Sequence, residues 1–235
     1  MQRRGTALIG STVDATDGHV GRIEDLLFDD KTWALRWFVI STGAWRLGRQ
    51  ILVHPAALEK PDSFGRPFSA KQTRKQVEAS LGILSDQPVS RQMEQSLGDG
   101  YSYTPTLGGG YYDIEAFGLP TEGWLSNYVA TAQAGTPDAD PHLRSLNEVK
   151  GYHVHALDGE IGHLSDFLID DESWKIEYAL IDTRNWWAGK HVLLPAAAIT
   201  EMDWAGRYLR VDQTCYNIKS SLPWTEPDWT GQIEP

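Results

Sequence analysis

Setting Gly10 against Gly151 brings two stretches of the chain into a register that holds without a gap to Leu81 and Leu222. The first copy runs Ala15-Thr16-Asp17-Gly18-His19-Val20-Gly21-Arg22-Ile23-Glu24-Asp25, and the second runs Ala156-Leu157-Asp158-Gly159-Glu160-Ile161-Gly162-His163-Leu164-Ser165-Asp166. Farther on, Asp29-Asp30 with Trp33 matches Asp170-Asp171 with Trp174, Trp45 and Gly48 match Trp186 and Gly189, and Ala56-Ala57 matches Ala197-Ala198. About a third of the aligned positions are identical, which chance does not produce over such a span. The period is far longer than that of stacking repeats, so each copy is expected to be a domain with a core of its own. A chain of 235 residues is long enough for two such domains.

Within a copy the pattern is all-β. Asp17-Gly18 and Asp158-Gly159 stand between short apolar runs. That predicts a hairpin with a type I′ turn, since Asp-Gly tolerates positive φ at both central residues. Strand-like sequence begins around Ala7. Asp29 to Thr32 and Asp170 to Ser173 read as the next turn, and an alternating strand follows. Leu35, Trp37 and Val39, matched by Ile176, Tyr178 and Leu180, are expected to face the interior, with Arg36 and Glu177 pointing away. Ile51-Leu52-Val53 and Val192-Leu193-Leu194 give a shorter strand, and Asp62 to Gly65 and Asp203 to Gly206 a further turn before the last strand. Ser69-Ala70-Lys71-Gln72 suggests a capping box ahead of a short helix over Thr73 to Ser80, with a counterpart over Cys215 to Lys219. Five or six short strands and one helical turn make a compact, partly closed barrel.

The succession of an Asp-Gly turn, a Gly shortly after it, an Asp closing that strand, an acidic turn with Trp and an apolar strand resembles the PRC-barrel family. The resemblance covers residues 10–82 and 151–223. It implies a mainly β fold: two small PRC-type barrels of five or six strands with a short helix each, related by pseudo-two-fold symmetry. The expected organisation is a first barrel over 1–82, a mostly irregular connecting segment over 83–150, a second barrel over 151–223 and a tail over 224–235. In that family the barrels are similar to binding and assembly modules, as in the photosynthetic reaction centre H subunit and a ribosome maturation factor. The resemblance therefore implies a non-enzymatic scaffold in a bacterial cytoplasm, with a protein partner that the sequence does not name. A ribosome-associated or RNA-processing factor docking on a basic protein is the alternative it leaves open.

Charge and composition bear on the partner. Lys and Arg number 21 against 32 Asp and Glu, a net charge of −11, so direct nucleic-acid binding is not expected. Arg3-Arg4 and the Lys71, Arg74, Lys75 cluster read as solvated charge. The one cysteine, Cys215, forms no intramolecular disulfide, which fits a reducing compartment. The chain has no apolar run of the length a transmembrane helix needs, so a cytoplasmic protein is expected, with docking on a membrane complex or self-association still open. Between the copies, Tyr101, Tyr103, Tyr111, Tyr112, Phe117 and Trp124 are costly to leave in water, so part of that segment is expected to pack across the barrels. Trp224 and Trp229 in the tail are candidates for the same job.

Candidate chemistry is sparse. The acid pairs Asp29-Asp30 and Asp170-Asp171 read as turn residues that bond their own backbone. Asp14-x-x-Asp17-Gly18 lacks the spacing and late Glu of a calcium loop. His153 and His155 alternate on one strand with His163 across the hairpin, a pattern that could hold zinc. Thr12, Asp14 and Arg22 replace them in the first copy, so surface histidines are the expectation. No Gly-x-Ser-x-Gly elbow occurs, and no His is repeated beside Cys215. No catalytic residue, cofactor or metal is therefore expected. Trp45 and Arg46, with Arg184, Asn185, Trp186 and Trp187, combine Trp and Arg in matching segments that read equally as an interface or as a Trp lid closing one barrel end, and they are the interface candidates.

Overall fold

The computed structural model describes residues 2–42, 50–59, 67–78, 142–183, 191–221 and 223–224. In chain order its strands are β1 (Gln2–Arg4), β2 (Thr12–Ala15), β3 (Gly18–Asp29), β4 (Leu35–Ser41), β5 (Gln50–Val53), β6 (Leu58–Glu59), β7 (Phe68–Ala70) and β8 (Leu143–Ser145). They continue as β9 (His153–Ala156), β10 (Gly159–Asp170), β11 (Lys175–Asp182), β12 (His191–Pro195), β13 (Ile199–Asp203), β14 (Tyr208–Val211) and β15 (Pro223–Trp224). Among the described residues four short α-helices accompany them: α1 (Gly5–Leu8), α2 (Arg74–Glu78), α3 (Leu146–Val149) and α4 (Cys215–Ser220). Among the described residues no helix is long and apolar enough to cross a membrane.

The protein is mainly β, and its two sheets repeat one another. The first has the order β5-β4-β3-β2-β7-β6 and the second β12-β11-β10-β9-β14-β13, with β15 added beyond β12. In each, one pairing is parallel, β2 with β7 and β9 with β14, and the neighbouring ladders are antiparallel.

What joins the sheets is an exchange of strands. β3 and β10 are 12 residues long and outrun the hairpin partners on one edge. An unfinished edge leaves backbone N–H and C=O groups to be satisfied. On β10 it is filled by β1, with Gln2 opposite Asp170 and Arg4 opposite Leu168. On β3 it is filled by β8, with Leu143 opposite Asp29 and Ser145 opposite Leu27. Each copy thus lends its leading strand to the other, the reciprocal pattern of a two-fold axis. The repeat therefore begins at Gln2 and Leu143, ahead of the Gly10 and Gly151 where identity becomes visible. Where strand was expected around Ala7, the chain has already left β1 and makes the turn of α1.

The core follows the same logic. Apolar side chains of both copies, from Leu8 and Phe28 to Phe167 and Ile218, form one contiguous buried cluster, where two separate cores were expected. A smaller cluster of Leu27, Trp37, Val39, Leu52 and Leu143 lies apart from it. The expected face of Leu35, Trp37 and Val39 is split between the two, because the ladder slips between Leu27 and Phe28 at Arg36. One extra residue inverts the alternation, so Leu35, Phe38 and Ile40 join the main core while Trp37 and Val39 pack under β8. Glu177 makes the same slip in the second copy.

The Asp-Gly hairpins are where they were expected, but the turn differs. Ala15 pairs with Gly18, so Thr16 and Asp17 form the loop; Gly18 and Gly159 have φ of 137° and 152°, and neither Asp is at positive φ. The Asp carboxylates instead cap the closing helices, Asp17 accepting from the Arg74 N–H and Asp158 from the Cys215 N–H, each at 2.6 Å. The capping box of α2 is Thr73 with Gln76, not Ser69 with Gln72: the Thr73 N–H donates to Gln76 Oε1 at 2.9 Å.

Candidate functional site

The acidic turns do two jobs. The first acid of each pair closes its own turn: Asp29 Oδ1 accepts from the N–H groups of Lys31 and Thr32 at 2.9 and 2.8 Å, and Asp170 Oδ2 from Ser173 N–H at 3.0 Å. Burial opposes ionisation of Asp29, but the Thr32 and Lys31 N–H groups prevail and hold its carboxyl below the ordinary range. The second acid reaches across the axis. Asp171 accepts from Arg3 Nε at 2.7 Å, and its counterpart Asp30 from Arg144 Nε at 2.6 Å and from His142 Nδ1 at 2.9 Å. Arg3 and Arg4 are therefore neither a basic patch nor solvated charge. Their side chains are 12% and 28% exposed, and each meets a carboxylate of the other copy.

Beneath these pairs lie Asp25 and Asp166. The buried Asp166 accepts from Arg4 Nε at 2.9 Å, Thr6 N–H at 3.1 Å, the Thr6 hydroxyl and Phe167 N–H at 2.8 Å. Asp25 accepts from the Ser145 hydroxyl, Asn147 N–H at 3.1 Å and Leu26 N–H at 2.8 Å. Ser145 stands where the other copy has Arg4, so among the described residues Asp25 meets a hydroxyl where Asp166 meets a guanidinium. Burial pushes its carboxyl above the ordinary range, despite the hydrogen bonds that oppose this.

Trp33 and Trp174 tie the same seam. Both hold left-handed backbone, with φ of 59° and 55°. Their carbonyls accept crosswise, Trp174 O from Leu35 N–H and Trp33 O from Ile176 N–H, each at 2.8 Å. The Trp174 ring packs on Phe38 and Phe68 of the first copy with centroids 5.2 and 6.3 Å apart, and Trp33 lies 6.0 Å from Phe167 of the second. Trp33 also stacks on Phe28 of its own copy, with centroids 6.0 Å apart, so its indole lies at the seam between the two copies. Sequence reasoning placed both tryptophans in the turn and missed this crossing. Their identity in both copies was the available signal.

The histidines separate into different environments. On the β9–β10 ladder His153 faces His163 and His155 faces Glu160. The rings of His153 and His163 are 4.5 Å apart, and His153 Nδ1 lies 2.7 Å from Glu160 Oε1. One ligand atom from each of His153, Glu160 and His163 falls within 4.8 Å of the others. The hydrogen bond from His153, first, holds the Glu160 carboxyl below the ordinary range. His155 does not join them; its ring lies 5.3 Å from that of Tyr208. In the first copy His19 bonds Asp14 at 2.8 Å, and Asp17 caps α2, so the two acids of the calcium-like pattern are turned to separate tasks. Burial, then neighbouring Asp158, pushes the Cys215 thiol up, away from the thiolate a nucleophile needs.

The interface candidates Trp45, Arg46, Arg184, Asn185, Trp186 and Trp187 lie outside the described residues, as do the aromatic residues singled out between the copies. Trp224 is described: β15 pairs with β12, and the Arg4 guanidinium lies 5.7 Å over the Trp224 ring.

Residues 141–214 match the PRC-barrel domain. The matched stretch runs from just before β8 to the residue ahead of α4, so it includes the strand lent to the first copy. No curated protein matches the chain closely enough to count as a relative.

Proposed function

We propose that the chain is a non-enzymatic protein-binding or assembly module, a tandem of two PRC-type barrels acting as a built-in dimer. The observation that carries this is the reciprocal exchange of β1 and β8. It commits the acids, arginines and tryptophans shared by the copies to holding the pair together. Such a unit offers a partner two related surfaces in fixed relation. The PRC-barrel match supports a module of this general kind. Trp45 and Arg46 fall in sequence between β4 and β5, and Arg184, Asn185, Trp186 and Trp187 between β11 and β12; these residues are proposed to meet the partner.

The net charge of −11 favours a basic protein partner over nucleic acid, and the proposed setting is the cytoplasm. The test is affinity capture of the chain at native expression, with and without RNase, read by mass spectrometry. A stoichiometric protein partner retained after RNase, and lost in a Trp45→Ala/Trp186→Ala variant, supports the reading. Ribosomal proteins would direct it toward ribosome association. No enriched partner in either condition would overturn it.

A further inference from the structure

We propose that His153, Glu160 and His163 form a binding site for a divalent transition cation, zinc foremost, on the β9–β10 ladder of the second copy. Two imidazole nitrogens and a carboxylate oxygen are donors that zinc accepts together, leaving a coordination position for water. The three ligand atoms already converge within 4.8 Å of one another. Zinc bonds of about 2.0–2.2 Å require them to close by only a small side-chain adjustment. All three side chains are at least partly exposed and free to make it.

A bulge creates this convergence. On a regular strand Glu160 and His163, three positions apart, would point to opposite faces. The ladder slips between Glu160 and Gly162, leaving Ile161 as the extra residue and Gly162 at φ +146°. That slip returns Glu160 to the face of His163, directly beside His153. The first copy has the same slip between Val13 and Asp14, but Thr12, His19 and Arg22 occupy the three positions. The fold supplies the platform in both copies, and the second alone furnishes it with ligands. Arg22 in the place of His163 puts a fixed positive charge where the cation would sit. In the absence of metal the His153–Glu160 hydrogen bond holds two of the ligands together.

The experiment is calorimetric titration of the untagged full chain with zinc chloride. The expected result is one saturable site per chain. It should be lost in His163→Arg, which restores the residue of the first copy, and weakened at least tenfold in Glu160→Gln. His19→Ala and His155→Ala should bind as wild type does. Circular dichroism confirms the fold of each variant, and His153→Thr serves as a second loss variant should His163→Arg fail that check. Absence of saturable binding, or wild-type affinity in the folded loss variant, would overturn the proposal.

Discussion

At Gly21 a Cβ would stand 1.9 Å from the Ser41 carbonyl oxygen, and at Gly162 it would stand 2.2 Å from that of Asp182. Each glycine lets its own strand, β3 or β10, run close against the backbone of the next, β4 or β11, so the close approach is to backbone and no side chain can swing aside. Gly21→Ala should cost about 3 kcal/mol, the upper part of the range for overpacking, measured by urea denaturation. Trp174 is a second sensitive point. Removing its ring takes packing from Phe38 and Phe68 while leaving the left-handed backbone strained. Trp174→Ala should therefore cost roughly 3 kcal/mol, and it should loosen the first copy, where the ring packs, as much as the second, where it is encoded.

At the scale of elements, β1 and β8 are held by ion pairs as well as by their ladders. Arg144 and Asp30 are each 9% exposed, so Arg144→Ala leaves a carboxylate without its guanidinium and should cost about 3 kcal/mol or more. Replacing both partners with apolar residues should recover most of that loss. Asp25 gives a pH signature. Its folded carboxyl titrates above the ordinary value of 3.8, so the stability it contributes is full below that value and is lost as pH rises through the folded pKa. Asn does not titrate. The margin of wild type over Asp25→Asn should be widest near pH 4 and narrow toward neutrality, and a margin that grows with pH would contradict the assignment. These elements also mark how far the sequence could be read. Asp-Gly turns and the closing helices were legible because their signals are local. The exchange of β1 and β8 was not, since Arg3 meets an acid 168 positions away and Ser145 replaces Arg4 in the matching bond. Glu160 escaped notice for another reason: only the bulge makes it a neighbour of His163.

As a whole, the molecule joins two sheets of the same order through a single apolar cluster, crossed tryptophans and two reciprocal strands. Two independently stable barrels on a tether would differ in one measurable respect, since either could unfold alone. The tandem was legible in the repeat, but its shared core was not, because alternation alone does not say which copy a buried face meets. The direct test is urea denaturation followed by hydrogen exchange read separately for amides of β3 and β10, in wild type and in Gly21→Ala. The shared core predicts one midpoint for both strands, displaced equally in both by a substitution made only in the first copy. A second-copy midpoint that stays at its wild-type value while the first falls would contradict it.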